Sequence, residues 1–594
     1  MNKPAAYGGK LLSWTAMVAC LLFLALACGP GAEPTPTTTT APTATPTKVP
    51  GGVTPTPTKP ATVATPTPTT VGAPTPTPGV QPKKGGTLRF AHGTFTPTFD
   101  PQLLSVSPEY FQSTGKLYTN LFVNYEGQTT ECEICSAEGW HLENNGKTMV
   151  LNIQPGIKFH SGQELIAADV AYSIKMIIGE IDGIVSPRAG VLKEYVESVD
   201  APSKYVVRIN LIRPSPFVPK ILAVSAAAIY RAGITRDDLK KADSGAGPFI
   251  VKNIVQGASW QLGRNPDYFK KGQPYLDAFE ITIIPDATTR IASLLTHKID
   301  WGGTSNKQYE AKLTELEKAG QLTRILELGG CGPRFTAFNL QKPPFNDIKM
   351  RQAVNLGLDR TAIATAGLGE YIQGWVPQLL HYNPGMEYAT PPEKIWNIVP
   401  GWGTGAKKQQ EIDQAKQLVK DAGFPNGIDD VDQMARGPLS TFSYLAPEEV
   451  QQELSKIGIR TKISVALADQ NAERMANLNY QLQVYEYCMI TRDSDEVVGQ
   501  YWITGGARNW VGYSNPEVDK LFIQMSSEAD PVKRRDLFFK IQDIIVLKDI
   551  GYAPIASNNG LSFLWSNVHG FTVGMSIHSA SGWHRGDRVW LGSQ

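Results

Sequence analysis

The chain has little cysteine for its length: six residues in 594, with Cys20 and Cys28 near the start. So few thiols exclude a disulfide scaffold and leave stability to a large buried core. It also lacks an excess of either charge. Lys and Arg total 56 against 55 Asp and Glu, for a net charge of +1, and no basic block stands out. That excludes charge-driven binding of nucleic acid or of an anionic membrane as the main task. No Walker A glycine loop occurs, so the chain cannot itself supply energy from ATP through one. G-x-S-x-G and H-E-x-x-H are missing too. The eight histidines are scattered, without the spacing of a Ser/His/Asp or Cys/His arrangement. A triad built from distant parts of the chain stays open. The expectation is no catalytic residue, no metal and no cofactor.

What is present begins with a leader. Lys3 and Lys10 precede an apolar run from Leu11 to Ala27, which ends in LALAC at Cys28. A positive start, an apolar run and a small residue before the break read as a signal peptide over 1–28, with a retained membrane anchor or an ordinary cleaved signal as the other readings of the same run, and each of them exports the body of the chain. Pro34 to Pro82 is Thr/Pro sequence with Lys48 and Lys59 as its only charges. It has too little apolar content for a core and favours extended polyproline II. At about 3.1 Å per residue it reaches on the order of 150 Å fully stretched. It therefore reads as a tether over 29–83, either a bare spacer or a glycosylated stalk of the Thr/Pro kind.

The folded body starts near Lys84, and its most informative stretch is Arg334 to Arg360. The extended run RFTAFNL ends at Pro343 and Pro344, which cannot donate ladder hydrogen bonds. Asn346 or Asp347 can cap a helix behind them. Met350, Val354 and Leu358 recur at i, i+4 and i+8 as an apolar stripe, with Arg351 and Arg360 outside it. Upstream, Met149 to Ile153 alternates as a strand after the turn Asn144-Asn145-Gly146, and Val170, Ile174, Ile177 and Ile178 form a helical stripe. Asp286 and Arg290 read as a surface turn and a helix-face pair. Downstream, Glu411 to Gly427 is a helix with Ala415, Leu418 and Val419 inward and a left-handed stop at Gly423.

The segment N-x-x-x-P-P-F-x-D followed by R-Q-A and D-R (Asn339 to Arg360) resembles the family 5 extracellular solute-binding proteins, the peptide- and nickel-type receptors of ABC importers. Four further blocks resemble the same family in order. They are the opening GGTLRFAH with Phe99-Asp100-Pro101, the KFH triplet at Lys158 to His160 with Ala168-Asp169-Val170, the run from Gly245 to Trp301, and NWVGYSNPEVDKLF with the late WSNVHG. Ile166 stands where Thr or Ser often caps the helix, so that start is expected to fray. LALAC resembles a lipobox, which implies lipidation of Cys28 and anchoring outside the cytoplasmic membrane.

The resemblance implies an α/β, two-lobed periplasmic-binding-protein-like fold of the cluster C type, with a small α/β domain inserted in the first lobe. The implied divisions are lobe I over 84–128, the inserted domain over 129–235, lobe I again over 236–335, lobe II over 336–555, and a return to lobe I over 556–594. The implied function is capture of a small solute, an oligopeptide first among candidates, between the lobes. A membrane permease is the implied partner, with no nucleic acid, and a monomer is expected. Alternatives are a non-peptide solute such as a glycan fragment, an exported hydrolase, and an adhesin or envelope sensor on the same fold.

Cys132-x-x-Cys135, followed by His141 and His160, leaves three readings open: a local disulfide, free buried thiols, or two ligands of a metal. The resemblance also suggests a bond between Cys331 and Cys488. For the ligand it implies wall residues Thr98 and Phe99 and aromatic walls Tyr487, Trp502 and Trp510. In peptide-binding members, the strand matching QVYEYCMI is followed almost at once by an Asp that takes the peptide ammonium. Here the pattern falls on Tyr487, Cys488, Met489 and Ile490, and an apolar Ile490 cannot neutralise a buried ammonium. Asp493 or Glu486 is the expected substitute. Arg334, Arg492 and Arg508 are cations near enough to face a carboxylate.

Overall fold

The computed structural model describes residues 81–93, 99–103, 114–124, 130–241, 244–303, 307–327, 334–368, 379–380, 388–437, 446–486, 489, 491, 493–556, 560–571 and 585–593. Three sheets carry the architecture. A seven-stranded sheet runs, edge to edge, Leu322–Glu327, Gly560–Trp565, Trp301–Gly303, Thr87–His92, Ala278–Ile283, Ser259–Arg264 and Phe249–Val255. A four-stranded antiparallel sheet runs Cys135–Glu143, Thr148–Ile153, Val206–Leu211 and Val196–Ser203. A five-stranded mixed sheet runs Ile459–Ala466, Ile428–Arg436, Leu482–Glu486, Arg334–Phe338 and Tyr552–Ala556.

The seven- and four-stranded sheets share one apolar core, which joins Leu88, Phe90 and Phe279 to Met149, Leu151, Ile174 and Ile209. We call this pair the first body. The five-stranded sheet has its own cores, one around Phe335, Trp502, Phe538 and Tyr552, another around Phe338, Met350, Val354 and Leu454. This is the second body. No apolar cluster among the described residues draws on both bodies.

The bodies are linked by neighbouring strands. Leu322–Glu327 leads to Arg334–Phe338, and Tyr552–Ala556 leads back to Gly560–Trp565. In each sheet the outgoing strand pairs antiparallel with the returning one.

Local structure follows the sequence at the opening stretch. Asp347 caps the helix Ile348–Gly357 by accepting from the Lys349 N–H at 2.8 Å. Met350, Val354 and Leu358 are fully buried, each contributing about 1.5–3 kcal/mol from transfer out of water. Arg351 and Arg360 are buried as well. Arg351 donates to the carbonyls of Phe345, Asn346, Asp549 and Ile550. Arg360 donates to the Pro554 and Gly401 carbonyls and to the Asn355 side chain. Both arginines therefore pin backbone that would otherwise carry unpaired buried carbonyls.

The helix Ala167–Ile177 corrects one expectation. Its start is not frayed: Asp169 reaches back to accept the Ile166 N–H at 2.8 Å and also accepts the Ala232 N–H at 2.7 Å. Ile166 has no side-chain acceptor, so only the returning half of a capping box exists. Asp286 likewise caps the helix Ala287–Leu295 through the Thr289 N–H, while Arg290 donates to the carbonyls of Ile284 and Pro285.

Cys132 and Cys135 form a disulfide, so they are neither free thiols nor metal ligands. Between them lies Glu133, fully buried at the side chain. Its carboxylate accepts from Arg585, from Lys270 at 3.0 Å, and from Thr119 and the Asn120 N–H at 2.9 and 3.1 Å. Arg585 also donates to Asn120 Oδ1 at 2.9 Å. Arg585 and Asp587, which bonds Tyr268 and Lys270, thus tie the end of the chain onto the disulfide loop.

Candidate functional site

The two bodies meet along a polar seam beyond the crossings. From the first body come Pro187, Arg188, Tyr195, Arg213 and Lys220. From the second come the strand Leu482–Glu486, the helix Ser494–Tyr501, Arg508, Trp510, Ser526 and Arg534.

Asp493 sits at the centre of this seam. It caps Ser494–Tyr501 by accepting the Asp495 N–H at 3.0 Å. Its carboxylate also accepts from Arg534 and, across the seam, from Lys220 at 2.6 Å. Arg534 extends to Asp495 Oδ1 at 2.6 Å, and Tyr195 of the first body donates to Asp495 Oδ2 at 3.1 Å. Burial opposes the charge on both acids. For Asp493 the cations Arg534 and Lys220 win, and its pKa falls below the ordinary carboxylate range. For Asp495 burial prevails, and the neighbouring Asp493 charge pushes the same way, so its pKa rises. Asp493, expected with Glu486 as a substitute for the missing ammonium partner, accepts from a helix N–H and from two protein cations.

Other sites resolve differently. Phe99 is buried against Trp260, with ring centroids 5.1 Å apart. The adjoining Asp100 is held by Arg236 at 2.8 Å and Tyr230 at 2.7 Å, so Phe99-Asp100-Pro101 is a structural turn. Trp502 is fully buried in the second body's core between Tyr513 and Tyr552. Trp510 is half-buried at the seam, 5.9 Å from the Tyr485 ring and 6.1 Å from Tyr501. Arg334 is buried at the start of its strand, opposite Glu486 in register. Arg508 donates to the Tyr501 hydroxyl at 3.0 Å and, across the seam, to the Pro187 carbonyl. Thr98, Tyr487, Cys488, Ile490, Arg492, Cys331 and Cys28 lie outside the described residues.

Sequence reasoning missed Arg188, Arg436, Lys220 and Arg534. Arg188 is buried, and burial together with the positive charge of Arg508 pushes its guanidinium down to about 10. Arg436, at the end of its strand, also acts on Tyr485. None of these carries a local motif; their partners are far away in sequence. A pocket lined by Trp396, Trp402, Asp359 and Arg360 lies within the second body, away from these seam residues. Among the described residues, no three His, Cys, Asp or Glu side chains gather in a way that could hold a metal. No described helix is long and apolar enough to cross a membrane.

A family model described as "Bacterial extracellular solute-binding proteins, family 5 Middle" matches residues 135–509, more than half of the chain. The chain belongs to this family. Among its relatives, heme-binding protein A of Haemophilus influenzae is 26% identical over 506 residues, covering 80% of this chain and 87% of the relative. The oligopeptide-binding protein AppA of Bacillus subtilis is 25% identical, covering 82% of this chain and 87% of the relative. The periplasmic binding protein DppA of Helicobacter pylori, solved with the peptide STSA, superposes with a TM-score of 0.70 at 21% identity, covering 86% of this chain and 99% of that one. The family 5 solute-binding architecture is thus the α/β two-lobed fold expected from the motifs.

Proposed function

We propose that this family 5 protein is the extracytoplasmic receptor of an ABC importer, which takes a small, peptide-like solute into the seam between the two bodies. One observation carries the reading. Each body has its own apolar core, while among the described residues their contact is made by ion pairs, hydrogen bonds and a cation over a ring, and two pairs of neighbouring strands lead from one body to the other. Such a contact can part and re-form without exposing a core, which is what hinge closure over a ligand needs. The relatives named for heme and oligopeptides support a small organic solute as cargo. The leader with Cys28 supports a lipid anchor on the outer face of the cytoplasmic membrane, and the Thr/Pro tract a spacer from it. The receptor works as a monomer, hands the solute unaltered to a membrane permease, and performs no chemistry on it.

The test is native mass spectrometry of the purified protein, before and after incubation with a tripeptide pool. A retained solute, recovered with unchanged mass after denaturation, is expected. Recovery of cleaved products points to the hydrolase. Failure to retain any solute contradicts the receptor.

A further inference from the structure

Within the second body, the loop 400–404 lies between the helices Pro392–Ile398 and Gly405–Asp421, and charged side chains fasten it from behind. Buried Arg360 donates to the Gly401 carbonyl, to the Pro554 carbonyl at 2.6 Å and to Asn355 Oδ1. Lys408 donates to the same Gly401 carbonyl at 2.9 Å, and Glu411 accepts the Gly403 N–H at 3.1 and 3.2 Å. Both glycines are needed for this close approach. A Cβ at Gly401 would collide with the Asn355 carbonyl oxygen, and one at Gly403 would lie 2.8 Å from the Glu411 carboxylate. The anchored loop holds Trp402, whose ring centroid is 4.6 Å from the Arg360 guanidinium carbon.

Beside Trp402 is a pocket of about 220 Å³, which Trp396, Asp359, Thr361 and Thr404 also line. Trp396 is 48% exposed, so an indole stands largely in solvent where burial would be favourable. The polar groups here have bonding capacity to spare. Asp359 Oδ1 accepts the Thr361 and Ala362 N–H groups, but among the described residues Oδ2 bonds nothing. The Thr361 and Thr404 hydroxyls likewise bond no described protein group, and Thr404 gives its helix no side-chain cap.

These walls narrow the chemistry of an occupant. Burial pushes the Arg360 guanidinium down to about 9, which leaves it charged at neutral pH. A cation would meet Arg360 and Lys408, and Arg360 already occupies the Trp402 ring. An anion would meet Asp359 at the pocket and Glu411 behind the loop. A wholly apolar guest would strip water from a carboxylate oxygen and two hydroxyls and return no hydrogen bond, which is unfavourable. A neutral molecule with apolar C–H faces and hydroxyls around its edge suits every wall.

We propose that this pocket is a carbohydrate site, separate from the seam, that takes the ring of a neutral sugar. One C–H face packs on the Trp396 indole, while edge hydroxyls donate to Asp359 and exchange hydrogen bonds with Thr361 and Thr404. All of these residues belong to the second body, so the sugar does not bridge the bodies or compete with a solute in the seam. A free sugar and the end of an envelope polysaccharide present the same ring.

The experiment is titration of the full protein, followed by saturation-transfer NMR, with the methyl glycosides of glucose, galactose and mannose. Glucuronate, glucosamine and cyclohexanol are the charged and apolar controls. At least one neutral glycoside should bind at millimolar concentration, and each control about tenfold more weakly. Trp396→Ala should weaken the sugar about tenfold with the melting temperature and solute retention in the seam unchanged. Trp396→Phe should restore part of the affinity, and Thr404→Val should weaken it less than Trp396→Ala does. A soluble oligosaccharide of the preferred sugar identifies the source: tighter binding than the monosaccharide marks a polysaccharide end, equal binding a free sugar, and either upholds the site. Binding of none of the three glycosides overturns the proposal. So does equal or tighter binding of a control, or sugar affinity that survives Trp396→Ala in a folded variant. None of these failures bears on the receptor reading, which rests on the seam.

Discussion

The first body contains a junction between two sheets, and the molecule contains a second junction between its two bodies; they are built from opposite materials. Inside the first body, one continuous apolar core spans the seven- and four-stranded sheets. A buried network at Glu133, Arg585 and Lys270 fastens the end of the chain to the disulfide loop. Between the bodies there is no shared apolar cluster among the described residues. The contact rests on Lys220 with Asp493, Tyr195 with Asp495, Arg213 with Ser526, and Arg508 with Pro187. Separating an apolar junction exposes surface at about 25 cal/mol per Å², whereas parted charges are re-solvated by water. One junction is sealed by an apolar core and the other is polar, and on the proposed function only the second opens.

That contrast can be broken from the permanent side first. Arg585→Ala leaves the Glu133 carboxylate buried with Lys270 as its only described charged partner, and should cost about 3–5 kcal/mol of stability, read by urea denaturation. Replacing Cys132 and Cys135 together by Ser should cost less, about 2 kcal/mol, because the bond closes a short loop. Both changes should leave the relative positions of the bodies untouched in the folded protein. On the reversible side, Lys220→Ala should lower the melting temperature little, because Lys220 keeps 20% of its side chain in solvent. It should instead disfavour the closed form by about 1 kcal/mol, visible as a larger radius of gyration without solute.

The smallest effect is that of pH. Buried Asp495 has a raised pKa, so the folded protein holds that proton more readily than the unfolded chain does. Folding stability should therefore rise modestly as pH falls from neutrality toward the ordinary carboxylate range near about 4. Asp493, whose pKa is lowered to about 2, works the other way: its contribution is lost as pH falls below the ordinary range and through that value. Urea denaturation at about pH 7, 5.5 and 2 should show a small rise and then a fall; a fall already at the middle pH would contradict the assignment.

The fold was largely legible in the sequence because its signals are local. Asp347 capping a helix, the Met350–Val354–Leu358 stripe and the turn before Met149 all act within a few residues. The seam was legible only in outline, because its partners are distant in the chain. Nothing near Asp493 announces Lys220, and nothing near Arg351 announces the Asp549 and Ile550 carbonyls. A tryptophan such as Trp502 reads alike as wall or core until its neighbours Tyr513 and Tyr552 are placed. The Ile166 helix start failed for another reason: the cap was sought in the first residue and was supplied by Asp169.

The most direct test of the seam is small-angle X-ray scattering of the protein with and without the solute it retains. A smaller radius of gyration in the loaded protein, and a larger one in ligand-free Lys220→Ala, is the expected result. Scattering curves that superimpose in all three states would show two bodies that do not part, and would contradict the account.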